Sequence, residues 1–126
     1  MGLHSSGEMY LESIYVLKEK LDGVHAIDVS EYMGFSKPSV SRALKLLKND
    51  GYIDIDDFDH ITLTAAGEEV AKKIFERHTI LTQVLVMIGV DENIAANDAC
   101  KVEHDISDQT LEAIKKYIEE KNKSAE

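Results

Sequence analysis

The sequence predicts a mainly α-helical chain that carries one small β-hairpin, and three observations support this. Apolar residues recur at helical spacing through most of the chain. Ser, Thr, Asp and Gly punctuate it at positions suited to helix caps and stops. Alternation at period two is confined to two short runs, Tyr52-Ile53-Asp54-Ile55 and Ile61-Thr62-Leu63. With 126 residues, 44% of them hydrophobic, and a single proline, the chain is long enough for one domain with a core or for two small lobes.

In order along the chain, Ser5-Ser6-Gly7-Glu8 has the form of a capping box. The helix that follows carries Tyr10, Ile14, Leu17 and Leu21 on one stripe with Leu11 beside it, and Asp22-Gly23 closes it. Met9 lies off that stripe, among Glu12, Ser13 and Val16. Ile27 to Met33 forms a short helix ended by Gly34. Ser36 then caps another, with Pro38 in the first turn, where a missing N–H costs little. Val40, Leu44 and Leu47 are its apolar side, and Asn49-Asp50-Gly51 stops it. The two alternating runs form a hairpin around the acidic tip Asp56-Asp57-Phe58-Asp59-His60. Thr64 caps a long helix running to about Ile88, with Ala71, Ile74, His78, Leu81, Leu85 and Ile88 on its apolar side. Asp91 caps the next helix, which carries Ala95, Ala99, Val102 and Ile106 on one face and Cys100, Glu103 and His104 on another. Ser107 caps a last helix with Leu111, Ile114, Tyr117 and Ile118, and Glu119 to Glu126 is expected to fray into solvent.

Charge and cysteine content narrow the function classes. The net charge is −10, from 14 Lys and Arg against 24 Asp and Glu, which taken alone disfavours nucleic acid. The distribution is more telling: Lys37, Arg42, Lys45 and Lys48 fall between Gly34 and Asn49 with no acidic residue among them. One cysteine forms no internal disulfide and suits a reducing cytoplasm. No apolar run approaches membrane-spanning length, so no membrane partner is expected. Met1-Gly2-Leu3-His4-Ser5-Ser6 fits the loose myristoylation pattern, without a basic cluster to support it.

Two short helices joined at Gly34 and followed by a hairpin describe a winged helix-turn-helix. Its second helix must bring its N-terminal half to the major groove while its apolar side anchors to the domain. Ser36 to Lys48 fits: Ser39 and Ser41 are small enough for close approach, and Arg42 and Lys45 can reach bases or phosphates. The plain alternative is a basic solvent face on an ordinary three-helix core. Cys100, Glu103 and His104 offer thiol, carboxylate and imidazole at i, i+3 and i+4, within reach of one ion on a helix. The alternative there is a half-buried cysteine beside two surface residues.

Gly34-Phe35-Ser36-Lys37-Pro38-Ser39-Val40-Ser41-Arg42, Asp50-Gly51-Tyr52-Ile53 and Leu63-Thr64 resemble the diphtheria toxin repressor and manganese transport regulator (DtxR/MntR) family. Glu8-Met9-Tyr10-Leu11, Arg77-His78 and Cys100-x-x-Glu103-His104-x-x-Ser107-Asp108 continue the match in unbroken order from Glu8 to Leu111. The resemblance implies residues 1–64 as a winged helix-turn-helix DNA-binding domain and 65–126 as a helical metal-binding and dimerisation domain. It implies a homodimeric repressor, not an enzyme, that binds a palindromic double-stranded operator when loaded with a divalent metal and takes no small organic substrate. Ser36, Lys37, Pro38, Ser39, Ser41, Arg42, Lys45 and Lys48 are the expected DNA-facing residues. The hairpin departs from the family, because Asp57, Asp59 and His60 stand where Lys or Arg and a Gly are usual, and aspartates repel phosphate.

The toxin-repressor branch holds its main metal with Met, Cys, Glu and His, matched here by Met9, Cys100, Glu103 and His104. A metal bridging Met9 and the Cys100 cluster would tie the DNA-reading lobe to the dimerisation helices. The manganese branch has Asp and Glu at the Met9 and Cys100 positions. Thiolate and thioether favour later, softer ions than Mn(II), so Fe(II) is the expected activator, with Mn(II), Co(II), Ni(II) and Zn(II) able to bind. Glu12 and His78 match further ligands of the manganese branch. The ancillary site of the toxin-repressor branch is lost at Thr82 and Ala96, and no SH3-like domain follows the last helix. Rival functions are a manganese sensor of the same fold, a thiol-based redox regulator using Cys100, and a Cys–His hydrolase using Cys100 and His104. No glycine-rich oxyanion loop supports the hydrolase.

Overall fold

A computed structural model describes residues 5–125, and the side chains of 6–124. The acylation pattern that begins at Met1 and the side chain of Ser5 lie outside the described residues. The described residues form α1 (Ser5–Lys20), α2 (Ala26–Met33), α3 (Lys37–Asn49), β1 (Ile53–Ile55), β2 (Ile61–Leu63), α4 (Ala65–Met87), α5 (Glu92–Val102) and α6 (Asp108–Ala125). They divide into two compact units, Met1–Lys73 and Ile74–Glu126, so that α4 begins in one and ends in the other.

In the first unit, Tyr10, Leu11, Ile14 and Leu17 of α1 meet Val29 of α2, Val40, Leu44 and Leu47 of α3, and Ile53 and Ile61 of the hairpin in one core. Each such side chain contributes about 1.5–3 kcal/mol when fully buried. Leu21 is exposed instead, because α1 ends at Lys20 and carries it no further round the stripe. Backbone chemistry sets the turn between α2 and α3. The His25 N–H donates to Asp28 Oδ2 at 2.9 Å at the start of α2. At its end Gly34 takes the left-handed conformation, φ 73°, with its N–H on Ser30 O. Ser36 Oγ then accepts from Ser39 N to begin α3. The hairpin pairs Ile53 with Leu63 and Ile55 with Ile61, and the Ile61 N–H donates to Val24 O at 2.8 Å, stitching it to the segment before α2. This is a winged helix-turn-helix. Thr64 caps α4, accepting from Gly67 N while its own hydroxyl donates to Gly51 O.

In the second unit, Ile80 of α4 packs with Leu111 and Ile118 of α6, flanked by Val84 and Ile114. Ala95 and Ala99 of α5 are fully buried. Four expectations need correction. Ile88 is exposed because α4 stops at Met87 and Gly89 turns the chain. Tyr117 is half exposed on the outer side of α6. Residues 119–125 continue α6 rather than fray: they are mostly Glu, Lys and Ala, strong helix formers, with Glu119 and Lys123 at the favourable i, i+4 spacing. Finally, α5 ends at Val102, so Ile106 is not helical and the Cys100, Glu103, His104 triplet straddles a helix end. Among the described residues, no helix is long and apolar enough to cross a membrane.

Candidate metal centre

Cys100 sits in the last turn of α5, Glu103 is its C-cap, and His104 follows in the turn. Because Glu103 keeps αR geometry (φ −57°, ψ −26°), the helical spacing survives for one residue past the helix. His78 approaches from α4. Its Nδ1 lies 2.9 Å from Glu103 Oε2 and 3.7 Å from Cys100 Sγ. Among the described residues, His78, Cys100 and Glu103 are the group of three His, Cys, Asp or Glu donors whose ligand atoms all fall within 4.8 Å of one another. Donors sharing one ion at roughly 2.0–2.3 Å lie at most about 4.6 Å apart, so a shift of a few tenths of an ångström converges them. His104 closes the inner side, with its Nε2 3.4 Å from Glu103 Oε1 and its side chain almost fully buried.

The electrostatics favour a cation. Glu103 is 1% exposed, and its Oε1 accepts no hydrogen bond. A carboxylate taken out of water needs compensation, and the hydrogen-bonding contact of His78 on Oε2 with the looser approach of His104 to Oε1 at 3.4 Å supplies only part of it. The donor set of imidazole, thiol and buried carboxylate therefore fits a divalent metal.

Arg77, adjacent to His78, is a residue whose role the sequence did not disclose. It is 7% exposed and faces the loop between α5 and α6. Its Nη1 donates to Glu103 O at 3.2 Å and to Ile106 O at 2.6 Å, and its Nη2 pairs with the Asp108 carboxylate. One guanidinium thus clamps both ends of the turn that carries Glu103 and His104. Its place beside His78 in the Arg77-His78 pair was the available signal. The Thr82 hydroxyl donates to His78 O, and the Ala96 side chain offers no ligand atom.

The remaining candidates belong to the first unit. Met9 and Glu12 lie one turn apart on α1. Met9 is 36% exposed, and its carbonyl accepts from Ser13 Oγ. On α3, burial of Val40, Leu44 and Leu47 turns the other face outward: Lys37, Pro38, Ser41, Arg42, Lys45 and Lys48 are exposed, as is Ser36, while Ser39 is half-buried. Ser36 and Ser39 are engaged with each other, Oγ to Oγ at 2.9 Å. At the wing tip, Asp56 Oδ1 accepts from the N–H groups of Phe58 and His60. The backbone donor of His60, above all, holds the Asp56 carboxyl below its ordinary value. That aspartate shapes the turn, whereas Asp57 and Asp59 remain exposed.

Residues 2–61 match the family model described as iron dependent repressor, N-terminal DNA binding domain. Residues 64–124 match that described as iron dependent repressor, metal binding and dimerisation domain. An uncharacterised HTH-type transcriptional regulator of Methanocaldococcus jannaschii is 35% identical over 93% of this chain and 95% of its own length. The transcriptional regulator MntR of Escherichia coli O6:H1 is 34% identical over 87% of this chain and 71% of its own. Among solved structures, a manganese-dependent transcriptional repressor in complex with manganese superposes with a TM-score of 0.80 at 27% identity, over 86% of this chain and 50% of that one. The chain thus spans about half the length of that solved relative.

Proposed function

The chain belongs to the iron-dependent repressor (DtxR/MntR) family of metal-dependent transcriptional regulators, which are not enzymes, and we propose that it represses metal uptake or homeostasis genes. In this proposal a cytoplasmic homodimer binds a palindromic operator through the exposed face of α3. His78, Cys100, Glu103 and His104 hold the activating ion, with Met9 and Glu12 as further ligand candidates from α1. The carrying observation is the convergence of three donor types, one of them a buried carboxylate with an oxygen that accepts no hydrogen bond. A bound divalent ion supplies positive charge opposite Glu103, and Arg77 holds the turn that presents Glu103 and His104. In the second unit the exposed apolar side chains Val86, Met87, Ile88 and Ile94 supply the kind of surface that a homodimer covers.

Mn(II) is the activator that the named relatives support, since several are MntR regulators and one solved relative carries manganese. A second reading, Fe(II), rests on one observation: Cys100 brings a thiol into the donor set, and thiolate favours later, softer ions over Mn(II). One experiment tests both. An operator selected from random duplexes is titrated anaerobically with apo, Mn(II)-loaded and Fe(II)-loaded protein. Metal should tighten binding about 5–150-fold, the range of a typical coupling of 1–3 kcal/mol. Equal affinity with and without metal refutes the switch. Activation at lower free Fe(II) than free Mn(II) decides for the iron reading.

A further inference from the structure

His25 and His60 belong to the first unit, whereas the centre described above belongs to the second. Val24 and Ile61 are bridged through their backbones, and both side chains are buried. Side chains alternate faces along extended chain. The next residue on each side, His25 and His60, is therefore turned outward as a cross-strand pair. Their ring centroids are 4.6 Å apart with 57° between planes.

Each ring has a carboxylate near its Nδ1. Asp56 Oδ2 is 3.1 Å from His60 Nδ1, and Asp28 Oδ2 is 3.7 Å from His25 Nδ1. In metal sites an outer carboxylate hydrogen-bonded to one ring nitrogen fixes the imidazole and leaves the other nitrogen as donor; Asp56 does this for His60, while Asp28 accepts from the His25 backbone N–H and adds negative charge beside its ring. Gly23 leaves room for the His60 ring. A Cβ there would sit 2.9 Å from His60 Nε2 and 2.7 Å from its Cδ2, and Gly23 does not have a positive φ. Its small size serves the imidazole rather than the backbone.

We propose that His25 and His60 form a second metal site, taking a borderline-soft divalent cation of the Zn(II) or Ni(II) type through their Nε2 atoms, with water in the remaining positions. Imidazole suits these ions better than it suits Mn(II) or Mg(II). Asp28 and Asp56 set negative charge beside the pair, and Asp59 shares a groove with His25. Lys45 and Lys48 of α3, which line the same groove of about 490 Å³, oppose that charge only in part. A cation here ties the hairpin to the segment entering α2 and offsets the acidic tip that would otherwise face DNA phosphate.

Zn(II) alone, titrated calorimetrically into the chelator-stripped full chain, tests this. One equivalent should disappear in His25→Gln and in His60→Gln yet persist in Cys100→Ser. In wild-type protein, long-range 15N–1H spectra should show both Nε2 resonances moving with added Zn(II). The spectra decide even where a variant folds poorly. Unchanged stoichiometry in both folded histidine variants, or Nε2 resonances that stay fixed while Zn(II) binds elsewhere, overturns the site.

Discussion

Replacing Arg77 with Met keeps the apolar stem and removes the guanidinium, which isolates what the clamp contributes. Two carbonyls, Glu103 O in a buried setting and Ile106 O in a partly buried one, lose their donor. An unsatisfied buried acceptor costs about 1–3 kcal/mol. The Asp108 carboxylate also loses its partner, but its side chain is 72% exposed, and solvent screening limits such a pair to at most about 1 kcal/mol. The two carbonyls together cost about 2–6 kcal/mol, and the exposed ion pair adds at most about 1 kcal/mol. Asp108→Asn, which touches only the exposed partner, should cost about 1 kcal/mol or less. Urea unfolding of the metal-free protein by far-UV circular dichroism measures both, and amide hydrogen exchange at residues 103–107 locates the effect. Arg77→Met should accelerate exchange there and weaken metal binding, because Glu103 and His104 sit on that turn. If Asp108→Asn costs as much as Arg77→Met, or if Arg77→Met changes stability by less than 1 kcal/mol, the clamp is wrongly assigned.

Two further outcomes follow from the first unit. Gly67→Ala would ordinarily stabilise a helix by about 0.5–1 kcal/mol. Here the new Cβ would stand 2.0 Å from Tyr52 O, so a net loss of about 1–3 kcal/mol is expected from the forced backbone shift; a raised melting temperature would contradict this packing. The Asp56 carboxyl is held below its usual value of 3.8 by the His60 and Phe58 amides. Its stabilisation of the hairpin tip is therefore present above pH 3.8 and lost as pH falls through the lower folded value. The amide resonances of Phe58 and His60 should titrate with a midpoint under 3.8, and a midpoint at or above that value removes the turn's assigned role.

Local chemistry made much of this molecule legible. Ser36, Pro38, Gly34 and Gly51 act at helix ends and turns through their own backbone preferences. Val40, Leu44 and Leu47 lie on one side of α3 because 3.6 residues make a turn. The helix-turn-helix and its hairpin, the basic outer face of α3 and the family resemblance all follow from such short-range pattern. Cys100, Glu103 and His104 were visible as donors for the same reason.

What spacing did not carry was the partner across space. His78 stood in the sequence both as an apolar-face histidine and as a possible ligand, and only the packing of α4 brought it 2.9 Å from Glu103; Arg77 carried no assigned role until it met the carbonyls of residues 103 and 106. His25 and His60 are far apart in the chain and became neighbours only when Ile61 bridged to Val24. The helix end at Val102 was also out of reach, since no Gly or Pro stands there to mark it. By itself, the sequence determined the elements, their caps, the basic face of α3 and the inventory of donors, because those depend on residues within a turn of one another. Tertiary structure alone decided which donors converge and which carboxylate is buried without full compensation, because desolvation and ligand geometry depend on distant segments brought together.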